Sequence, residues 1–256
     1  MAHTSPPPLA LAYHGVQDVP FRQDPHGLFV RPRDLVRHVL ALKRWGYRLV
    51  SFSKLAAAAG AGAGGGLAAL TFDDGLVDNL DVLAPLLADL AAPATAFVCT
   101  GLLGRTHPDA PWARIMTPEE VRSLAAKGIE VGSHASSHRD LSGLAYDEAL
   151  AELLRGKREL EEIAEAPVTV LAYPYGRASV ETIRACADAG FAAACRTSGV
   201  GSWTEPHNLP RQDMSNRCSI MGLRLKRDDR YEPLMRYAAG RGARRLVRLT
   251  QALDLT

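Results

Sequence analysis

Leu70-Thr71-Phe72-Asp73-Asp74-Gly75 is the stretch that decides the fold. The apolar run leading into it, residues 67–72, has the length and composition of a buried strand, and residues 77–90 repeat apolar side chains at helical spacing. Two neighbouring carboxylates therefore stand where a strand gives way to a turn, and Gly75 lets that turn bend sharply. Adjacent aspartates repel each other unless a cation, or a proton on one of them, offsets the repulsion. Taken alone, the triplet reads first as an Asx turn that caps a helix. The residues it meets elsewhere in the chain separate the two readings.

Outward from this point the same strand-then-helix unit recurs. Residues 9–13 form a short apolar strand ending in Tyr13-His14-Gly15, residues 32–45 a helix with Leu35, Val36, Val39, Leu40 and Leu42 on its apolar side, and residues 47–51 a strand. Further strands are predicted at 94–99, 129–132, 168–172 and 191–196. Between them lie a helix opening on the capping-box pattern Thr117-Pro118-Glu119-Glu120 and stopping at Gly128, a charged amphipathic helix over 146–164, and a helix over 179–189. About seven such units predict an α/β protein with a parallel sheet that closes, or nearly closes, into a βα barrel. Residues 56–66, all Ala and Gly, read as a flexible surface linker. Residues 100–116 read as a long loop carrying His107, Trp112 and two prolines, and a loop of that length usually has a task or is disordered. The rhythm defines one catalytic domain over 1–222. Residues 223–256 form a basic tail, with a helix over 234–253 interrupted by Gly240 and Gly242. That helix either packs on the barrel with a solvated basic face or docks on a membrane surface or partner.

Composition narrows the function classes. A chain of 256 residues with 47% hydrophobic and 23% charged residues is ordinary for a soluble globular protein. A net charge of +2 gives no electrostatic case for nucleic acid as the partner. Cys99, Cys186, Cys195 and Cys218 are scattered without a CxxC pair, the pattern of reduced thiols. No run is long enough to span a bilayer, and residues 1–8 lack a basic region followed by an apolar core. The expected location is the cytoplasm, unless a leader has been trimmed.

His14, Asp73-Asp74, His134 with His138, and Tyr173-Pro174-Tyr175 each follow directly on a predicted strand. In a βα barrel such positions share one rim, the carboxyl end where active sites lie. His134 and His138 are four residues apart, and two histidines plus one carboxylate are a common catalytic zinc set that leaves positions open for water and substrate.

Thr71-Phe72-Asp73-Asp74-Gly75, His134-Ala135-Ser136-Ser137-His138 and Ala172-Tyr173-Pro174-Tyr175-Gly176 resemble, in order, the three leading motifs of the polysaccharide deacetylases, the NodB-homology proteins of carbohydrate esterase family four. The resemblance spans roughly residues 9–214. It implies a distorted (β/α) barrel and metal-dependent removal of N-acetyl groups from amino sugars. Carried over to this chain, it implies that Asp74, His134 and His138 hold a divalent metal, most often zinc, and that Asp73 is the general base. It further implies that the backbone N–H at Tyr175, on a turn fixed by Pro174, helps to bind the oxyanion. Many members take their general acid from a late Leu-x-His motif, which is missing here; the last histidine is His207. Leu11-Ala12-Tyr13-His14-Gly15-Val16 instead resembles the early Tyr-His motif of the poly-N-acetylglucosamine deacetylase branch, which makes His14 the expected acid and His207 the alternative.

Two departures from the family pattern set further expectations. Ala135 stands where Ser or Thr often braces the metal loop, so Ser136 or Ser137 substitutes or the brace is absent. Ala172 stands where the third motif often begins with Arg, and Arg211 can instead pair with Asp73, keeping it ionised and oriented. Trp112, as a stacking platform or else a packing anchor, and Tyr173 are the expected substrate contacts. The expected partner is an N-acetylated sugar or glycan, with no nucleic acid and no transmembrane segment; the sequence points to no particular protein partner. A deacylase of a non-sugar amide and a non-catalytic carbohydrate-binding relic are the rival readings.

Overall fold

The computed structural model describes residues 5–235 other than 21, 217 and 232. Eight strands build one parallel sheet: β1 (Leu9–Tyr13), β2 (Arg48–Leu49), β3 (Leu67–Phe72), β4 (Ala94–Val98), β5 (Glu130–Ser133), β6 (Val170–Ala172), β7 (Ala193–Cys195) and β8 (Gln212–Asp213). Seven of them lie in the order β7-β6-β5-β4-β3-β1-β8, and β2 pairs with the base of β3 through Arg48 and Leu67. The sheet curls so that its two ends approach. Leu209 bridges Cys195 of β7, and Gln212 and Asp213 pair with Leu11 and Ala12 of β1. Residues 209–213 therefore span the gap in the distorted barrel and carry Arg211 into it.

Helices α1 (Pro32–Arg44), α2 (Phe52–Gly60), α3 (Ala84–Asp89), α4 (Pro118–Ala126), α5 (Tyr146–Ala164), α6 (Val180–Asp188) and α7 (Ile220–Arg227) accompany the strands. Alternation along each strand sorts the core into two layers. Leu9, Leu11 and Tyr13 of β1 and Leu70 and Phe72 of β3 pack in one layer with Leu35 of α1 and Leu153 and Leu160 of α5. Ala10, Ala69, Phe97, Val170, Ala172 and Ala193 form the other layer with Phe52 and Leu55 of α2. Small side chains prevail in that second layer. They leave volume for Arg211, the largest fully buried side chain among the described residues.

Local signals explain the element boundaries. Thr117 and Glu120 make the reciprocal capping box that opens α4, and α5 occupies the predicted amphipathic span. Three expectations need correction. The alanines of the presumed linker at 56–66 belong in part to α2, because Phe52, Leu55 and Ala56 give that segment an apolar face to bury and alanine favours a helix. The helix expected over 77–90 opens as a π-turn, Asn79–Leu83, before α3. The long loop at 100–116 contains an antiparallel hairpin, Thr106–His107 with Ala110–Arg114. In addition, α7 runs across the boundary expected at 222/223, and the helix expected over 234–253 lies outside the described residues from 236 onward. No helix among the described residues is long and apolar enough to cross a membrane.

Candidate active site

Strand alternation carries Thr71 and Asp73 inward from β3, toward the gap that residues 209–213 span. Arg211 meets them there. Its Nη1 donates to Asp73 Oδ1 at 2.7 Å and its Nη2 to Asp73 Oδ2 at 2.8 Å, while Nη1 also donates to Thr71 Oγ1 at 2.8 Å and Nε to the Arg196 carbonyl at 3.1 Å. The guanidinium lies 5.3 Å from the Phe97 ring centroid. Burial alone would raise the Asp73 carboxyl, but Arg211 first, then His134 and His14, more than offset it and hold the group below its ordinary value. Asp73 is a fixed, ionised carboxylate.

Asp74 would point to the opposite side of the strand if the backbone stayed extended. It instead adopts φ 72°, a left-handed conformation that aspartate tolerates better than most residues, and its carboxylate turns into the same cleft. Four histidines surround it. Asp74 Oδ2 lies 3.0 Å from His107 Nε2 and 3.9 Å from His14 Nε2; Oδ1 lies 3.2 Å from His138 Nε2 and 3.5 Å from His134 Nε2. Burial pushes the Asp74 carboxyl up, yet these imidazoles, His107 foremost, hold it well below the usual range.

The donor set fits a metal ion. Asp74 Oδ1 is buried without a hydrogen-bond partner. His134 donates its Nδ1–H to the Ala172 carbonyl at 2.7 Å, so the lone pair of its Nε2 faces Asp74 Oδ1. Two acceptors thus confront each other across a short gap, an arrangement that a cation relieves. Burial depresses His134 to about 4, so it is neutral at physiological pH and free to act as a ligand. Ligand atoms of Asp74, His134 and His138 all lie within 4.8 Å of one another.

The loop holding the two histidines is tightly constrained. Ala135 (φ 61°) and His138 (φ 58°) both adopt left-handed backbone conformations, as does Tyr175 (φ 58°) on the facing loop. Such strain gathers at functional sites and persists only where the surroundings impose it. The brace expected from Ser136 or Ser137 comes from different side chains. Ser133 Oγ accepts the Ala135 N–H at 3.2 Å, and Glu152 of α5 accepts the Ser137 N–H. Gly156 lets α5 approach this loop: a Cβ there would stand 2.7 Å from the Ala135 carbonyl carbon.

Of the remaining expected residues, His14 and Tyr175 line the cleft, the Tyr175 ring lying 4.9 Å from that of His138. Tyr173 does not reach it. Following the alternation of Leu171, it packs in the helix-facing core, fully buried, with its hydroxyl on the His207 carbonyl. Trp112 is not among the residues lining the cleft; it packs on Phe29 at 4.7 Å and donates to the Gln23 carbonyl. His207 is likewise outside it, with Nε2 2.8 Å from the Phe191 carbonyl. His107, Asp109, Thr197 and Asp213 line the cleft without having been singled out as site residues. The only sequence signal for His107 was its place in an unusually long connection.

A curled parallel sheet bearing an Asp-Asp turn on one strand and a His-x3-His loop on another, converging in one cleft, is the architecture of a carbohydrate deacetylase domain. The polysaccharide deacetylase family model matches residues 61–194, more than half of the chain, and the chain belongs to that family. Among curated relatives, YxkH of Bacillus subtilis, itself named for this family, is 30% identical over 122 residues, which cover 48% of this chain and 41% of that protein. The chitooligosaccharide deacetylase of Sinorhizobium fredii is 32% identical over 140 residues, covering 54% and 60% respectively. The chain thus spans about two to three fifths of the length of these relatives. The Streptococcus pyogenes deacetylase PplD, solved in complex with acetate, shares the fold with a TM-score of 0.73 at 23% identity, over 86% of this chain and 97% of its own. IcaB from Ammonifex degensii does so with a TM-score of 0.73 at 19% identity, over 89% and 98%.

Proposed function

We propose that this chain hydrolyses the N-acetyl group of an N-acetylated amino sugar or glycan, using a divalent cation held by Asp74, His134 and His138. The observation that carries this reading is the unpartnered Asp74 Oδ1 facing the free lone pair of His134. A two-histidine, one-carboxylate set with open positions suits zinc. The chitooligosaccharide deacetylase among the relatives supports a sugar as the acyl carrier.

When bound, the cation supplies Lewis-acid polarisation of the acetamide carbonyl and acidifies water. Asp73, ionised and held by Arg211, takes the proton from the attacking water. The backbone N–H of Tyr175 donates to the developing oxyanion. His14, on the far side of the Asp74 carboxylate and partly open to solvent, delivers a proton to the departing amine. Its position is set by Asn79, which donates to the His14 carbonyl at 3.1 Å, and by Asp78, which accepts the Val16 N–H at 2.8 Å.

The test is acetate release from a panel running from N-acetylated monosaccharides and nucleotide sugars to chitin and poly-N-acetylglucosamine oligomers, with added zinc and with chelator. Chelator-sensitive release is expected, and the best substrate identifies the acyl carrier. Release untouched by exhaustive chelation would overturn the metal-dependent mechanism. Silence across the panel from protein with stoichiometric metal would overturn the sugar substrate.

A further inference from the structure

We propose that His107 is a positioning residue for the metal-binding carboxylate: it occupies Asp74 Oδ2 as a hydrogen-bond donor and so presents Oδ1 to the cation. The proposal rests on the metal-site reading above and extends it to a residue outside the ligand set.

The tautomer of His107 follows from its two partners. Its Nδ1 receives the backbone N–H of Asp109 at 3.1 Å, and a backbone amide can only donate. Nδ1 therefore carries the lone pair and Nε2 the proton. Nε2 lies 3.0 Å from Asp74 Oδ2, an oxygen that, in a carboxylate, can only accept. Both bonds are satisfied by the same neutral tautomer. A ring nitrogen that holds its proton has no lone pair for a metal, so His107 in this arrangement supports a ligand and is not itself one. With Oδ2 engaged, Oδ1 is the oxygen left to face His134 and His138, and it is the one without a hydrogen-bond partner.

The backbone fixes this contact rather than leaving it to a mobile loop. His107 is buried on the short hairpin inside residues 100–116, and the hairpin's return strand is stitched to the residues that follow Asp74. Met116 N–H donates to the Gly75 carbonyl at 2.9 Å, Val77 N–H to the Arg114 carbonyl at 2.9 Å, and Leu76 bridges Ile115. The same segment that folds beside the Asp turn thus brings the imidazole to it. Groups that hold a metal's ligands in this way usually tune affinity by about 10- to 100-fold.

The experiment compares wild type, His107→Gln and His107→Leu by Zn2+ affinity, measured in competition with a chromophoric chelator, together with the absorption spectrum of the Co2+ forms. Both replacements fill similar volume, but only glutamine can place a donor near Asp74 Oδ2. His107→Leu is expected to lose about 10- to 100-fold in affinity and His107→Gln to recover most of it. Affinity unchanged in His107→Leu would overturn the proposal. Nitrogen-15 NMR of the wild-type imidazole provides a reading that needs no variant. It should report the Nε2–H tautomer both before and after zinc is added. A proton on Nδ1, or the shift of a directly metallated Nε2, would overturn it. Wild type that binds neither Zn2+ nor Co2+ would instead sink the metal-site reading itself.

Discussion

Arg211 grips both oxygens of Asp73 in a bidentate pair, 2.7 and 2.8 Å, and neither side chain is more than marginally exposed. The partners are 138 residues apart in sequence and meet because residues 209–213 span the two approaching edges of the sheet. Arg211 also bonds Thr71 and the Arg196 carbonyl, so its charge is shared among acceptors rather than left to one. The pair serves the proposed chemistry by keeping the general base ionised. It serves the fold by tying β3 to the segment that closes the barrel.

Arg211→Ala leaves the Asp73 carboxylate buried without its counter-charge, so unfolding free energy should fall by about 3–5 kcal/mol. Arg211→Lys keeps a charge but loses the forked geometry and should fall between the two. Urea denaturation measures both, and a loss below about 1 kcal/mol for the alanine variant would remove the pair from the structural core of the fold.

Asp73→Asn and Asp74→Ala separate base from ligand. Asp73→Asn should retain metal and lose about 10²- to 10⁴-fold in turnover. Asp74→Ala should lose metal. Metal content after dialysis, read beside kcat, distinguishes them; the same loss of metal in both variants would collapse the division of roles.

His14→Ala should depend on the leaving group. Turnover of an N-acetyl sugar, whose amine must be protonated, should fall by about 10²- to 10⁴-fold. An activated acetate ester needs no such proton and should be affected far less. Equal losses on both substrates would argue against His14 as the acid.

Asp78 predicts a pH effect of definite sign. Burial raises its carboxyl from 3.8 to about 6 in the folded chain. Between those values the folded state binds more protons than the unfolded state, so this group's contribution to stability is lost as pH rises through about 6. The total is on the order of 3 kcal/mol. Asp78→Asn can still accept the Val16 N–H but carries no charge. Its stability relative to wild type should therefore improve from about pH 4 to about pH 7 and then level off. A constant difference across a urea series over that range would show that Asp78 does not titrate as its burial requires.

Gly156→Ala should destabilise the protein although alanine favours helices. The added methyl would stand 2.7 Å from the Ala135 carbonyl carbon and 2.9 Å from its oxygen, backbone atoms of the histidine loop. Overpacking of this kind costs about 1–3 kcal/mol, more than the ~1 kcal/mol gained by removing a helical glycine. Thermal denaturation and zinc affinity should fall together. A raised Tm with unchanged affinity would mean that the loop has room to yield.

The sequence by itself determined the local elements and most of the chemistry-bearing groups. Apolar runs placed β3 and β4, Thr117 and Glu120 marked the start of α4, and the motif residues Asp73, Asp74, His134 and His138 stood at predicted strand ends. These are short-range signals, carried by neighbours a few positions apart. Only the tertiary structure decided which way the adjacent carboxylates face, because a single left-handed φ at Asp74 turns it into the cleft. It alone decided that Tyr173 belongs to the helix-facing core and that Ser133 and Glu152 brace the histidine loop. The departure from the family pattern at Ala172 already pointed to Arg211 as a partner for Asp73, but the contact itself, like that of His107 with Asp74, depends on barrel closure and hairpin docking. Contacts between residues 33 and 138 positions apart leave no periodicity in the chain; they exist only once non-local packing has set the distance.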